Sequence, residues 1–439
     1  MEKMKNKEIT EYAMSLALKH GCQDVKVVLM QNNEDAIDLR DGKMERIHHA
    51  LARSLVMNLF IDGRDGFFYT NKVEKDGLEA FIRQAVETTR MLEPDESHTL
   101  ADPSLYYKGD GPALCNFDAT LSQMDPQKKL ALAMEADSQL VGSHPSIISA
   151  ETRYSDRQYQ GWYLISNGFQ GYEECSRATL TSICTVEGTD GQHPMDGWGE
   201  SRIFFKDMPR QGIAQTALER TLRKVGQRPV QSGKYTMIVE SPVAGNLLVP
   251  MLSAMTGQAL HQRTSFLQNC QDVQVGSPLL DVVDDPLIPG TRGASHFDED
   301  GVATKRRMIF EEGRLRTYFI DTPSAHKLGL KPTTLGVHHM VFTPGQSTLG
   351  QLMGQAGKAI LVTDFNGGNC DPSTGYFSYG IEGFLVQGGV IAQPVSGMNV
   401  TGNMLDLWKS LVAVGNDADP WEAELIPSLM FSDVNFSGI

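Results

Sequence analysis

The chain has 439 residues and a formal net charge of −15, from 39 Lys plus Arg against 54 Asp plus Glu. That length suits two or three domains, and 41% hydrophobic with 21% charged residues argues against extensive disorder. So acidic a chain with no basic tract is a poor direct ligand for nucleic acid, and no run approaches the roughly 20 apolar residues that span a bilayer.

Residues 1–9 carry three Lys and two Glu and no apolar signal core, which points to a cytoplasmic protein. Residues 6–20 predict a helix, with Ile9, Tyr12, Ala13, Leu16 and Ala17 on one face and Gly21 ending it. Strands are expected at 25–30 and 35–40, then a hairpin of 54–61 with 67–70 around a Gly-containing loop. Residues 75–92 read as a second helix, and 93–116, rich in Pro, Asp, Gly and Ser, as a linker. A helix over 126–141 starts with Asp125 as cap and Pro126 in the first turn. Asn167-Gly168 is a two-residue turn between strands 161–166 and 169–175. A strand at 178–186 and a helix at 211–225 follow, then a boundary near 226–233.

Beyond residue 234 strands and tight turns dominate. A hairpin is expected from 306–310 and 315–320 around residues 311–314. Further strands are expected at 338–342, 359–365, 375–385 and 390–395, with helices at 243–255 and 404–414. This order predicts an α+β fold of two to three domains. They are a helix–strand–helix subdomain with linker (1–110), a middle α+β subdomain (111–227) and a β-rich domain with a buried helix (228–439).

Several motifs fail on inspection. Gly357-Lys358 resembles the end of a phosphate-binding loop, but Ala359 follows and Leu352 replaces the first Gly. Asp298-Glu299-Asp300-Gly301 hints at a calcium loop, yet Arg307 stands where the bidentate Glu belongs. The pairs His48-His49 and His338-His339 fall on predicted strands, where adjacent side chains diverge and cannot share a metal easily. The six Cys include no Cys-x-x-Cys pair and read as free thiols. His261 and Arg263 are candidates to face a cleft, and Cys370 is a possible nucleophile without a visible base.

Residues 239–267 read VESPVAGNLLVPMLSAMTGQALHQRTSFL. Ser241 suits an N-cap and Pro242 the first helical position, and Val243, Leu247, Leu248, Met251, Leu252 and Met255 form an apolar stripe. With LVTDFNGGNCDPSTG at 361–375 and DVVDDPLIPGTRGASHFDEDGVATKR at 281–306, this segment closely resembles the PmbA/TldD family, also named for modulation of DNA gyrase.

The resemblance implies cytoplasmic, paired subunits that process peptides. In the TldD-like branch a helix carries His-Glu-x-x-x-His, and a Cys near the C-terminus completes a zinc site. The PmbA-like branch, also called TldE, lacks these ligands and partners the first. Anchored on Gly245, the two His positions hold Ser241 and Asn246 and the Glu position holds Pro242. Ser and Asn are poor zinc ligands and Pro cannot be a general base. No Cys follows Gly415. Residues five apart on a regular helix lie about 140° apart around its axis, so such ligands would need a widened turn.

The resemblance therefore implies a non-catalytic or regulatory subunit, with no catalytic residue, metal or cofactor of its own. It would pair with a zinc-bearing TldD-like subunit, or with itself, around an extended peptide. His261, Arg263, Asp364, Asn366, Asn369 and Cys370 are the candidates to line that cleft. Two alternatives stay open: a stand-alone hydrolase using His261, Cys370 or Asp364, and a module that binds a protein such as gyrase.

Overall fold

Residues 24–40 form one uninterrupted strand, β1 (Asp24–Arg40), in the computed structural model, which describes residues 2–189 and 191–438. Two separate strands, 25–30 and 35–40, are expected from the sequence, and the Asn and Glu residues between them are poor strand formers. Pairing on both sides overrides that preference: Asn32 faces Ala52 of β2 (Lys43–Ile61) and Tyr159 of a later strand. β3 (Arg64–Thr70) completes the expected hairpin with β2.

The partners across β1 come from beyond the linker. These are β4 (Ile147–Ile165), β5 (Gln170–Val186) and β6 (Met195–Arg202). The sheet order is β3-β2-β1-β4-β5-β6, so segments 1–110 and 111–227 share one sheet. Four helices cover one of its faces: α1 (Glu2–Lys19), α2 (Lys75–Thr89), α3 (Pro126–Leu140) and α4 (Ile213–Arg223). Leu16, Leu78 and Ile82 pack there on Val25, Leu29 and Leu59, and Leu132 and Ile213 pack on Ile37 and Tyr154.

Lys129 of α3 is a charged residue buried on that face. It is 1% exposed, and its ammonium bonds Asp35 of β1 and lies 2.8 Å from Asp156 Oδ2 of β4. The Tyr154 hydroxyl donates to the same Asp156 oxygen at 2.7 Å. Burial works against the charge of Asp35, but hydrogen bonds from Lys129 and His49 outweigh it and hold the group below its usual range. Burial dominates at Asp156 and pushes its carboxyl up.

The C-terminal half supplies β7 (Gly233–Val239), β8 (Val282–Asp284), β9 (Arg307–Glu311), β10 (Arg314–Leu315) and β11 (Met340–Phe342). It continues with β12 (Lys358–Cys370), β13 (Tyr376–Gln387), β14 (Val390–Asn403), β15 (Leu411–Val414), β16 (Glu424–Leu425) and β17 (Leu429–Ser437). Strands β14-β13-β12-β7-β17 close on themselves through a β14–β17 pairing, with β15 beside β17. Closure removes the free edges that such long strands would otherwise present. A smaller sheet runs β10-β9-β8-β11-β16.

Four local expectations change. The 404–414 helix stops at Lys409, and Leu411–Val414 pairs with β17 instead, since Val412 and Val414 suit a strand. The 306–320 hairpin turns at Glu312 (φ 47°) and Gly313 (φ 79°), but its regular ladder with β9 ends at Leu315, followed by one bond from the Arg316 N–H to Ile309 O at 2.9 Å. His338 and His339 precede β11 rather than lying on it. The strand expected over 359–365 runs on as far as Cys370, with irregular register between Phe365 and Gly368.

Candidate functional site

The face of the first sheet opposite the helices looks onto the C-terminal half. Between β5, β6 and α4 on one side and residues 240–245 and 417–426 on the other lies a cleft of about 1270 Å³. Ser241 and Pro242 begin α5 (Ser241–Ala244) on its wall. Glu240, not Ser241, occupies the N-cap position, and no side chain caps this end. The Ser241 hydroxyl instead donates to Ile426 O at 2.7 Å, and its N–H donates to Ser428 Oγ at 3.1 Å.

The expected helix over 243–255 is broken. A 3₁₀ turn at Gly245–Leu247 separates α5 from α6 (Val249–Ala254). Pro250 explains this: it has no N–H, and its ring would clash with the carbonyl of Asn246 in a continuous α-helix. The apolar stripe survives, with Leu247, Leu248, Met251 and Met255 fully buried. Asn246 is exposed and does not line the cleft with Ser241.

Charges join the two halves across the cleft. Arg220 of α4 reaches Glu240 Oε2 at 3.0 Å. Lys224, one residue past α4, lies 3.0 Å from Asp196 of β6 and 2.9 Å from Glu382 of β13. Burial opposes the charge on Lys224, but Asp196 and Glu382 more than offset it and raise its affinity for the proton. Asp364, half-buried in the cleft, is the cross-strand partner of Glu382, so Lys224 also relieves a like-charge pair. These five segments lie far apart in sequence, and no local motif marks them.

The other predicted residues divide. Asn366 is exposed, and its Nδ2 is 3.5 Å from Glu382 Oε1. His261 ends α7 (Gly257–His261) and is exposed, as is Arg263, whose φ is 57°. The Phe266 N–H donates to Pro372 O at 2.9 Å, tying the chain after Arg263 to the turn after Cys370. Asn369 is exposed, and burial, then Asp371, pushes the Cys370 thiol up. The cleft thus gathers Ser241, Pro242 and Asp364, while Asn246, His261, Arg263, Asn366, Asn369 and Cys370 lie outside its lining.

A second cavity, of about 1040 Å³, opens on the same sheet face. Glu173 lines it and accepts a hydrogen bond from the Tyr163 hydroxyl, which in turn accepts from Tyr159 at 3.0 Å. On its rim the 298–301 turn is held internally. Asp298 Oδ1 accepts the N–H groups of Asp300 and Val302, each at 3.0 Å, and Asp300 pairs with Lys26 at 2.7 Å.

Burial, then Asp300, pushes the Asp298 carboxyl up to about 6 from 3.8. Between those values the folded chain holds a proton that the unfolded chain releases. This contribution to stability is present below about pH 4 and is lost as pH rises through 6. Asp298→Asn keeps the acceptor oxygen, so it should remove that slope and stabilise the protein at pH 7 by ~2 kcal/mol. Urea titrations from pH 4 to 7 on both proteins check it, and an unchanged slope counts against the assignment.

Models of the PmbA/TldA metallopeptidase domain 1, central domain and C-terminal domain match residues 25–89, 119–225 and 232–438. The chain belongs to the PmbA/TldD family. It is 25% identical over 441 residues to the metalloprotease PmbA of Escherichia coli O157:H7, covering 98% of this chain and 97% of that protein. The crystal structure of a candidate modulator of DNA gyrase from Bacteroides thetaiotaomicron superposes with a TM-score of 0.97 at 44% identity, covering 99% of each chain. TldE from Thermococcus kodakarensis shares the fold, with a TM-score of 0.85 at 17% identity over 98% of this chain and 100% of that one.

Zinc does not fit the PmbA/TldD motif positions of this chain. Tight zinc sites use thiolate, imidazole or carboxylate. Here one position is a hydroxyl already committed to Ile426 O, one is Pro242, and one is an exposed carboxamide. Among the described residues no three His, Cys, Asp or Glu side chains converge as a ligand set. No described helix is long and apolar enough to cross a membrane.

Proposed function

We propose that this chain is the TldE-type, non-catalytic or regulatory subunit of a cytoplasmic PmbA/TldD peptidase. Its cleft forms one wall of a peptide chamber completed by a zinc-bearing TldD-like subunit. The reading is carried by the state of the motif positions. Ser241 is spent on the backbone, Pro242 has no proton to move, and Asn246 sits away from the cleft. The surrounding wall is nonetheless built, with Glu240 beside the motif fixed by Arg220.

The chain's own groups then bind and orient rather than react. Cys370, the nucleophile of a stand-alone hydrolase, has a thiol made less acidic by burial; it packs against the apolar core, and its Sγ donates to Asp371 O at 3.7 Å rather than to a base. That favours the paired reading, since the thiolate is the nucleophile.

The purified chain should cleave no unfolded polypeptide and hold no stoichiometric zinc. Cleavage should appear when the TldD-like subunit of the same genome is added, and a chelator should abolish it. Robust cleavage by the chain alone, lost in Cys370→Ala or His261→Ala, would overturn the proposal.

A further inference from the structure

Alternate residues of β5 from Glu173 to Ile183 share the face that looks onto the C-terminal half. Glu173 and Cys175 line the second cavity, and Thr179 and Thr181 line the cleft. Cys175 and Thr179 are four residues apart, about 13 Å along a strand. Arg292 lines both spaces, and its Nη1 is 2.8 Å from Glu422 Oε2. The cavity is therefore the continuation of the cleft beyond one ion pair.

The walls of the cavity are aromatic. Tyr163 meets Phe297 edge-on at 5.2 Å, and Tyr159 bonds Tyr163 at 3.0 Å. Its charged groups are chiefly carboxyls, Glu173 on the floor with Glu299 and Asp298 at the side, whereas Arg292 is already paired. An apolar, ring-lined space with a fixed acid at its end suits a long alkyl stem bearing a positive head.

We propose that this cavity receives the lysine or arginine side chain of an extended peptide lying in the cleft; this rests on the reading of the cleft as a peptide wall. The stem packs on Tyr159, Tyr163 and Phe297, and the ammonium or guanidinium meets Glu173 and Glu299. Tyr159 and Tyr163 hold the Glu173 carboxyl in one orientation, so little ordering remains to be done when the cation arrives. Burial keeps that carboxyl above its ordinary range, and an incoming cation supplies the counter-charge that burial withholds.

Cys175, exposed on the cavity floor, gives a readout that needs no catalysis. The full-length chain is alkylated with iodoacetamide, and modification of Cys175 is followed by peptide mass spectrometry. The competitors are capped pentapeptides, Ala-Ala-Xaa-Ala-Ala, with Xaa lysine, arginine or norleucine. The lysine and arginine peptides should protect Cys175 at concentrations roughly tenfold lower than norleucine. Glu173→Gln should bring the three peptides within about twofold of one another. Should that variant not fold, Glu299→Gln at an exposed position should still narrow the gap. Equal protection by lysine and norleucine, no protection by either, or full discrimination in the Gln variants would overturn the proposal. If discrimination fails while cleavage with the TldD-like subunit succeeds, only the cavity assignment falls. If discrimination holds and the paired subunits cleave nothing, the chamber reading falls instead.

Discussion

Lys129→Ala should lower the unfolding free energy by about 3–5 kcal/mol, read from urea titration at pH 7. The ammonium of Lys129 is the positive partner of Asp156, whose side chain is only 1% exposed. Removing it strands a carboxylate among Tyr154, α3 and the sheet, where the remaining hydrogen bond from Tyr154 cannot replace a charge. The chain would escape by protonating Asp156, so the deficit should shrink as pH falls. A second substitution checks the cause. Adding Asp156→Asn to Lys129→Ala should recover more than half of the loss, because the burden is the uncompensated charge and not the missing alkyl stem. If the double variant is as unstable as the single one, packing rather than electrostatics dominates at this site.

Gly368→Ala should cost about 3 kcal/mol or more. Gly368 has φ 97°, and a Cβ there would lie 1.9 Å from Ser378 O on the paired strand β13. Backbone cannot yield as a flexible side chain would, so β12 and β13 must part locally. Gly367→Ala is the control. Its φ is 129°, but a Cβ would meet open space. It should cost only the backbone term, about 1–2 kcal/mol. Thermal melting separates the two, and equal losses would show that conformation alone sets the requirement. The same irregular stretch carries Asn366, Asn369 and Cys370, so Gly368→Ala should also change the alkylation rate of Cys370.

Much of the local structure was legible from residue order. The Asp125-Pro126 helix start and the apolar stripe from Leu247 to Met255 each depend on neighbours within one or two turns of chain. Asn167-Gly168 marks its hairpin, but the loop has three residues, 166–168, because Ile165 pairs with Phe169 and only Gly168 takes a positive φ. Misreadings arose where a distant strand or an overlooked proline decided the outcome. Residues 31–34 are strand because β2 and β4 pair with them on both sides. Residues 366–370 are strand because β13 runs alongside. The helix after Ser241 is divided because Pro250 removes a donor one turn further on.

Family membership and the α+β character followed from the amino-acid sequence alone. So did the expectation that Ser241, Pro242 and Asn246 hold no zinc, since side-chain identity decides whether a group can bind a metal or carry a proton. Only the tertiary structure decided which side chains share a space. Asp196, Lys224, Glu240 and Glu382 meet around one cleft, while Glu173, Tyr163 and Phe297 meet around another cavity. Convergence of that kind depends on which sheet face and which register distant strands adopt. Burial and pairing summed over the whole chain settle both, and no short window of sequence contains that sum.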